Sequence, residues 1–251
     1  MSKKLEGKTA VITGASTGIG LAVAKQFAFE GADVIITGRR QTELDAAVAE
    51  IGLKATSIQA DSAKLDDLDR LFEQVKASKG KIDVLFVSAG GGSMLPLGAI
   101  TEEQYEDTFG RNVKGLIFTV QKALPLLADG AAVILTGSTT GITGTANFSV
   151  YSASKAAVRN LARSWILDLK DRDIRINVIS PGPTRTPGLV GLAGPEEANQ
   201  QGLLDYLASQ VPMGRVGAPE EVAKAAVFLA SSDSSFVNGA ELFVDGGTAQ
   251  V

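Results

Sequence analysis

Seven short apolar runs, rich in Val, Ile and Ala, alternate with longer stretches of helical periodicity almost to the end of the chain. The runs fall at 9–13, 33–37, 55–60, 84–88, 132–136, 175–180 and 242–244. The helical stretches fall near 18–30, 41–51, 64–78, 102–127, 149–170 and 219–230. Several runs are apolar at consecutive positions, as strands covered on both faces must be. Strand–helix alternation of this kind predicts an α/β fold: a doubly wound, seven-stranded parallel sheet with helices on both faces and right-handed crossovers.

The chain has 251 residues and holds neither a repeat nor a low-complexity linker. One domain over 1–251 is expected. The absence of both Cys and His excludes disulfides, thiolate chemistry, a Ser–His–Asp triad and a zinc site built on Cys or His. Proton transfer is left to Tyr, Lys, Asp, Glu or Ser. A formal net charge of −4 gives no global attraction for nucleic acid or anionic lipid. The stretch 1–8 is polar and basic and runs into the first apolar run without a signal-peptide layout. No apolar stretch reaches membrane-spanning length. A cytoplasmic protein is the expectation.

Thr13-Gly14-Ala15-Ser16-Thr17-Gly18-Ile19-Gly20 follows the first strand and opens the first helix. Gly14 permits a tight turn, Gly18 a close approach by a pyrophosphate, and Gly20 close packing of helix on strand. The unpaired N–H groups of the helix start then face the phosphates. Strand before and helix after is the context such a motif needs, so Gly14, Ser16, Thr17, Gly18, Ile19 and Gly20 are expected to cradle a dinucleotide. The glycine spacing resembles that of the short-chain dehydrogenase/reductase family, whose signature is Thr-Gly-x3-Gly-x-Gly. The resemblance implies a single-domain Rossmann-type oxidoreductase.

The second strand ends in Gly38-Arg39-Arg40. An NAD-binding site of this type places an acidic residue here against the ribose 2′-hydroxyl. Gly38 offers no carboxylate to repel a 2′-phosphate, and a guanidinium at Arg39 or Arg40 can fork onto one. NADP(H) is therefore the expected cofactor, with Arg39 favoured because the position after the acidic slot does this work in related NADP enzymes. Both arginines read otherwise as solvated charges at a helix start. Asp61 matches a family residue that bonds the adenine amino group, with the N–H of Ser62 in the same contact; read locally, Asp61 is a helix N-cap. After the fourth strand, Val87-Ser88-Ala89-Gly90 replaces the family's usual Asn-Asn-Ala-Gly. Ala89 and Gly90 would still pass the ribose, and Ser88 could make one of the bonds between strands that the second Asn makes.

Tyr151-Ser152-Ala153-Ser154-Lys155 starts a helical pattern, and the i,i+4 spacing puts Tyr151 and Lys155 on one face. A phenol titrates near about 10, and a neighbouring ammonium favours the phenolate. Tyr151 can then act as general acid in a reduction and general base in an oxidation, and Lys155 can also bond the nicotinamide ribose. Ser138, after the fifth strand, can hold the substrate oxygen and stabilise developing charge. Ser138 followed by Tyr-x3-Lys is the family's catalytic arrangement. The resemblance adds Asn112, whose backbone carbonyl would hold a water linking Lys155 to solvent; read locally, its amide could simply face solvent. It also implies that Pro181 and Gly182 pack against the nicotinamide, that Thr184 or Thr186 bonds its carboxamide, and that the strand near 242–244 supports a homotetramer.

The resemblance fades only at 185–215. The stretch 181–217 holds five of the eight prolines and no strand, and such an insertion beside the sheet reads as a substrate lid or as a surface loop with one helix, 196–210. Leu189, Val190 and Leu192 favour an apolar pocket and a hydrophobic ketone; Arg185 is the one cation placed to meet a carboxylate. Three functions follow. The leading one is carbonyl–alcohol interconversion on a small molecule. A β-ketoacyl carrier-protein reductase would need a basic docking surface, and Pro125-Leu126-Leu127-Ala128-Asp129-Gly130 carries none. A non-catalytic NADP(H) sensor would not need Ser138, Tyr151 and Lys155 together.

Overall fold

The computed structural model describes residues 3–251; Met1 and Ser2, part of the polar N-terminal stretch, lie outside the described residues. Seven parallel strands form one sheet in the order β3-β2-β1-β4-β5-β6-β7. They are β1 (Thr9–Thr13), β2 (Asp33–Gly38), β3 (Ala55–Gln59), β4 (Ile82–Val87), β5 (Leu127–Thr136), β6 (Arg175–Pro181) and β7 (Glu241–Val244). The chain winds outward from β1 to β3, returns to the middle at β4, and winds the other way to β7. The order therefore reverses between β1 and β4, and the C-terminal ends of these two strands flank the crevice where ligands bind in such sheets.

Period-two alternation sorts the strand side chains into two cores. Ala10, Ile12, Val34, Ile36, Val84, Phe86 and Ile134 face one layer; Val11, Ile35, Leu85, Val87, Val133 and Leu135 face the other. The first layer holds α1 (Gly18–Phe29) and α9 (Pro219–Ala230), which meet through small residues such as Ala24, Ala223 and Ala226. Phe27 on α1 meets Phe86 of the sheet edge to face, centroids 6.4 Å apart. The second layer holds α3 (Leu65–Lys79), α5 (Gly115–Ala123) and α6 (Ser149–Asp168). Between β2 and β3 runs α2 (Gln41–Ile51). Both faces are covered, as a fully parallel sheet requires.

Two expectations change. The stretch 102–127 is not one helix. It is α4 (Glu102–Phe109), a π-helical turn (Gly110–Lys114) and α5, and β5 already begins at Leu127. The wider turn is closed by the Gly115 N–H bonding to the Gly110 carbonyl, which rotates Asn112 inward. The second change lies after β6. This stretch is more structured than a loop with one helix: it holds α7 (Pro187–Val190), a short turn at Gly191–Ala193 and α8 (Glu197–Gln210). Its base is pinned where Thr184 pairs with Gly217 and the Arg185 N–H donates to the Gly217 carbonyl at 2.8 Å.

Candidate active site

The glycine-rich turn is as tight as its sequence demands. Gly14 has a φ of 63°, and a Cβ on Gly20 would stand 2.3 Å from the Gly14 carbonyl oxygen. A Cβ on Gly14 would stand 2.8 Å from the Ala89 Cα, so the turns after β1 and β4 touch at the point where the strand order reverses. The Thr13 hydroxyl accepts from the N–H groups of Ser88 and Ala89 at 3.2 and 3.3 Å. The tie between these strands is thus made by Thr13, and Ser88 contributes its backbone N–H to it.

At the N-terminus of α1, Thr17 makes no side-chain cap bond, and the first turn has no acidic residue. By contrast α3, α4 and α9 each carry two acidic residues there. The first-turn N–H groups of α1 and its positive end are therefore uncompensated by side chains, which suits an anion. Thr186 crosses this turn: its Cβ and Cγ2 lie 3.4 Å from where a Gly18 Cβ would be. Its hydroxyl also caps α7, accepting from the Leu189 N–H at 3.1 Å. The Thr184 hydroxyl is turned back onto the Gly182 carbonyl at 3.0 Å. Gly182 follows Pro181 at the end of β6, and its N–H bonds the Val244 carbonyl at 3.0 Å.

At the end of β2, Arg40 pairs with Glu43 at 2.9 Å, while the Arg39 guanidinium has no ion-pair partner among the described residues. A Cβ on Gly38 would lie 3.3 Å from the Ser16 hydroxyl, so Ser16 and Gly38 border the same slot. Asp61 does not cap α3, whose N-cap is Lys64. Its carboxylate instead accepts from the Ala63 N–H at 3.0 Å, and its own N–H donates to Asp67. The adjoining Ser62 carbonyl packs on Gly115 at the start of α5. These residues fit a dinucleotide laid across the reversal point from Arg39 to Thr186.

Ser138, Tyr151 and Lys155 converge at the end of β5. Ser138 caps the short turn Thr139–Gly141, accepting from the Thr140 N–H at 3.2 Å and the Thr140 hydroxyl at 3.0 Å. Lys155 is buried and donates to the Thr136 carbonyl at 2.9 Å, with Nζ 5.5 Å from the centroid of the Tyr151 ring. Burial lowers the Lys155 ammonium to about 8. Tyr151 moves the opposite way from the expectation: burial pushes the phenol up, and the Ser138 hydroxyl offsets only part of the rise. Lys155 sits over the ring, but burial is what decides the direction of the shift.

Asn112 is buried, 1% exposed, and its amide does not face solvent. It accepts from the Gly91 N–H at 2.9 Å and donates to the Gly91 carbonyl at 3.0 Å and to the Ser154 hydroxyl at 2.9 Å. Ser154 in turn donates to the Tyr151 carbonyl at 2.6 Å. A Cβ on Gly90 would lie 2.6 Å from the Asn112 Oδ1 and 3.8 Å from the Lys155 Nζ. Asn112 thus locks the turn after β4 to the start of α6. Sequence reasoning missed two of these partners. Ser154 was legible only as the residue at i+3 from Tyr151; the Thr136 carbonyl leaves no side-chain signal.

After β6, Arg185, Thr186, α7 and α8 line a cleft of about 700 Å³. Val190 and Leu204 line it, as an apolar pocket requires, but so do Arg185, Glu197 and Gln200. Its character is mixed. Leu192 is 41% exposed.

The family model described as Enoyl-(Acyl carrier protein) reductase matches residues 14–249. An oxidoreductase of Sarocladium schorii named asL5 is 53% identical, over 99% of this chain and 98% of that protein. The NADP-dependent (R)-specific alcohol dehydrogenase of Lentilactobacillus kefiri is 35% identical, over the full length of both. A dehydrogenase/reductase of Sinorhizobium meliloti 1021 superposes with a TM-score of 0.90 at 32% identity, over 98% of this chain and 97% of that one. The chain belongs to the short-chain dehydrogenase/reductase family and is an oxidoreductase of that type.

Proposed function

We propose that this protein is an NADP(H)-dependent oxidoreductase that interconverts a small ketone or aldehyde and its alcohol. One observation carries the reading: Ser138, Tyr151 and Lys155 meet at the end of β5, beside a phosphate-binding turn. A nicotinamide bound there would supply or accept the hydride. Tyr151 gives or takes the proton on the substrate oxygen, and Ser138 holds that oxygen. Lys155 favours the phenolate and bonds the ribose. The positive charge of a bound, oxidised nicotinamide would oppose the rise that burial imposes on the phenol. The Asn112 carbonyl holds the water through which Lys155 exchanges protons with solvent.

Gly14, Ser16, Thr17, Gly18, Ile19 and Gly20 hold the pyrophosphate; Asp61 and Ser62 hold the adenine; Ala89 and Gly90 pass the ribose. Pro181, Gly182 and either Thr184 or Thr186 hold the nicotinamide. The choice of NADP(H) rests on the missing carboxylate at Gly38 and on Arg39, whose guanidinium is unpaired among the described residues; Arg40, engaged by Glu43, is the lesser contributor. The Lentilactobacillus relative, NADP-dependent by its name, agrees. The segment 185–215 closes on the substrate as a lid, with Val190 and Leu204 forming the apolar part of a cleft that Arg185, Glu197 and Gln200 also line. The protein works in the cytoplasm as a homotetramer assembled on the C-terminal strand.

The test is oxidation of NADPH and of NADH over a panel of aliphatic, aromatic and keto-acid carbonyls. Turnover with a higher kcat/KM for NADPH is expected. Tight NADPH binding with no turnover across the panel would instead make the protein a sensor.

A further inference from the structure

The rings of Phe148 and Tyr151 are stacked, with centroids 4.4 Å apart and planes at 22°. Phe148 is the N-cap residue of α6, and the spacing i,i+3 brings it over Tyr151 on the first turn. The residue before it, Asn147, has a φ of 61°. Asn adopts this left-handed backbone more readily than other non-glycine residues, which makes it suited to such a turn. The turn is tied to the loop after β4: the Asn147 carbonyl accepts the Leu95 N–H at 2.8 Å. The same loop after β4 is held again by Gln104 on α4, which donates to the Ser93 carbonyl at 2.9 Å. The loop also presses on the phenol itself. A Cβ on Gly92 would stand 2.7 Å from the Tyr151 Cδ2 and 2.9 Å from its Cβ. The Tyr151 ring is therefore confined by Phe148 on a face and by the Gly92 backbone along an edge.

Phe148 has no group that can move a proton. We infer that Phe148 is a positioning residue, held by the left-handed turn at Asn147, whose flat face fixes the plane of the Tyr151 phenol against Gly92. The inference rests on the proposed acid–base role of Tyr151. It requires a ring at position 148, because a branched aliphatic side chain fills the space without a plane to hold the phenol parallel. Without that plane the phenol tilts, and a misplacement of about 1 Å at a reacting group costs up to about a hundredfold in rate.

The composition allows a direct reading. The chain has three tyrosines, Tyr105, Tyr151 and Tyr206. A Tyr105→Phe, Tyr206→Phe background leaves Tyr151 as the sole phenol, and its ionisation is followed by ultraviolet absorbance in the full-length protein. In that background Phe148→Ala is expected to move the Tyr151 titration to lower pH, because water reaches the uncovered face. Phe148→Tyr is excluded there and is used in kinetics with NADPH and the best carbonyl of the panel. In the kinetics, Phe148→Ala and Phe148→Leu lower kcat by about tenfold or more with NADPH affinity held within about twofold, while Phe148→Tyr restores most of the rate. Folded Phe148→Ala or Phe148→Leu protein with the parent's kcat and titration overturns the inference. Should the parent turn over no carbonyl, the proposed function fails, and the titration alone still decides whether Phe148 covers the phenol.

Discussion

Asn112 grips Gly91 by both ends of its amide, accepting from the N–H at 2.9 Å and donating to the carbonyl at 3.0 Å. A side chain from the π-helical turn thus stands in for a strand partner that the loop after β4 lacks. Its Nδ2 also reaches Ser154 on α6, so one residue sets the distance between the loop after β4 and the helix that carries Tyr151 and Lys155.

Asn112→Ala therefore acts on stability and on activity together. It strips three hydrogen bonds from buried or half-buried groups. Each group left unpaired costs about 1–3 kcal/mol, so a loss of about 2–4 kcal/mol in denaturant unfolding is expected, with partial compensation by water. Asn112→Asp keeps the acceptor but not the donor and should fall between. An Asn112→Ala protein as stable as the parent would mean that the loop is held by other contacts.

Arg39→Ala should weaken use of NADPH alone. A charged hydrogen bond contributes about 1.5–3 kcal/mol, which is about ten- to a hundredfold in kcat/KM for NADPH, with NADH unchanged. Adding Gly38→Asp should turn the preference toward NADH. Its Cβ meets the Ser16 hydroxyl at 3.3 Å, so Ser16 must yield by a few tenths of an ångström, and some activity is lost with both cofactors. Steady-state kinetics with each cofactor decide; an unchanged ratio contradicts the assignment of the slot.

Lys155 makes the protein's stability depend on pH. In the folded chain it titrates at about 8, in the unfolded chain near 10.5. Between these values the unfolded state binds more protons, so stability rises with pH across that window. Below about pH 8 the whole cost of the buried ammonium is present, about 3 kcal/mol for the gap between 10.5 and about 8. Lys155→Met removes it but leaves the Thr136 carbonyl unpaired, which costs about 1–2 kcal/mol. The inactive variant should thus be more stable than the parent by about 1–2 kcal/mol at pH 7. The margin should narrow above pH 8, vanish between about pH 9 and 10, and reverse above that. Denaturant melts of both proteins at three pH values measure this; a variant less stable at pH 7 contradicts it.

What was legible in the sequence followed from locality. β1, β2 and β4 are buried along nearly their whole length, so their apolar runs announce them. The glycine-rich turn and Tyr151–Lys155 lie within single short segments. The helix broken at Gly110–Lys114 was not legible, because α4 and α5 continue one helical pattern across the π turn. The early start of β5 was hidden because Asp129 and Gly130 are exposed. Neither the burial of Asn112 nor the direction of the Tyr151 shift could be read locally. Asn112 depends on Gly91 and Ser154 from distant segments, and Tyr151 on covering by Phe148 and Gly92.

The central claim is that the Tyr151 hydroxyl handles the substrate proton. Tyr151→Phe removes that oxygen alone and keeps the ring stacked on Phe148. Its kcat for NADPH-dependent carbonyl reduction should fall by about 10²–10⁴-fold, with NADPH affinity and unfolding temperature unchanged. A folded Tyr151→Phe protein that reduces the same carbonyl at the parent's rate would contradict the account.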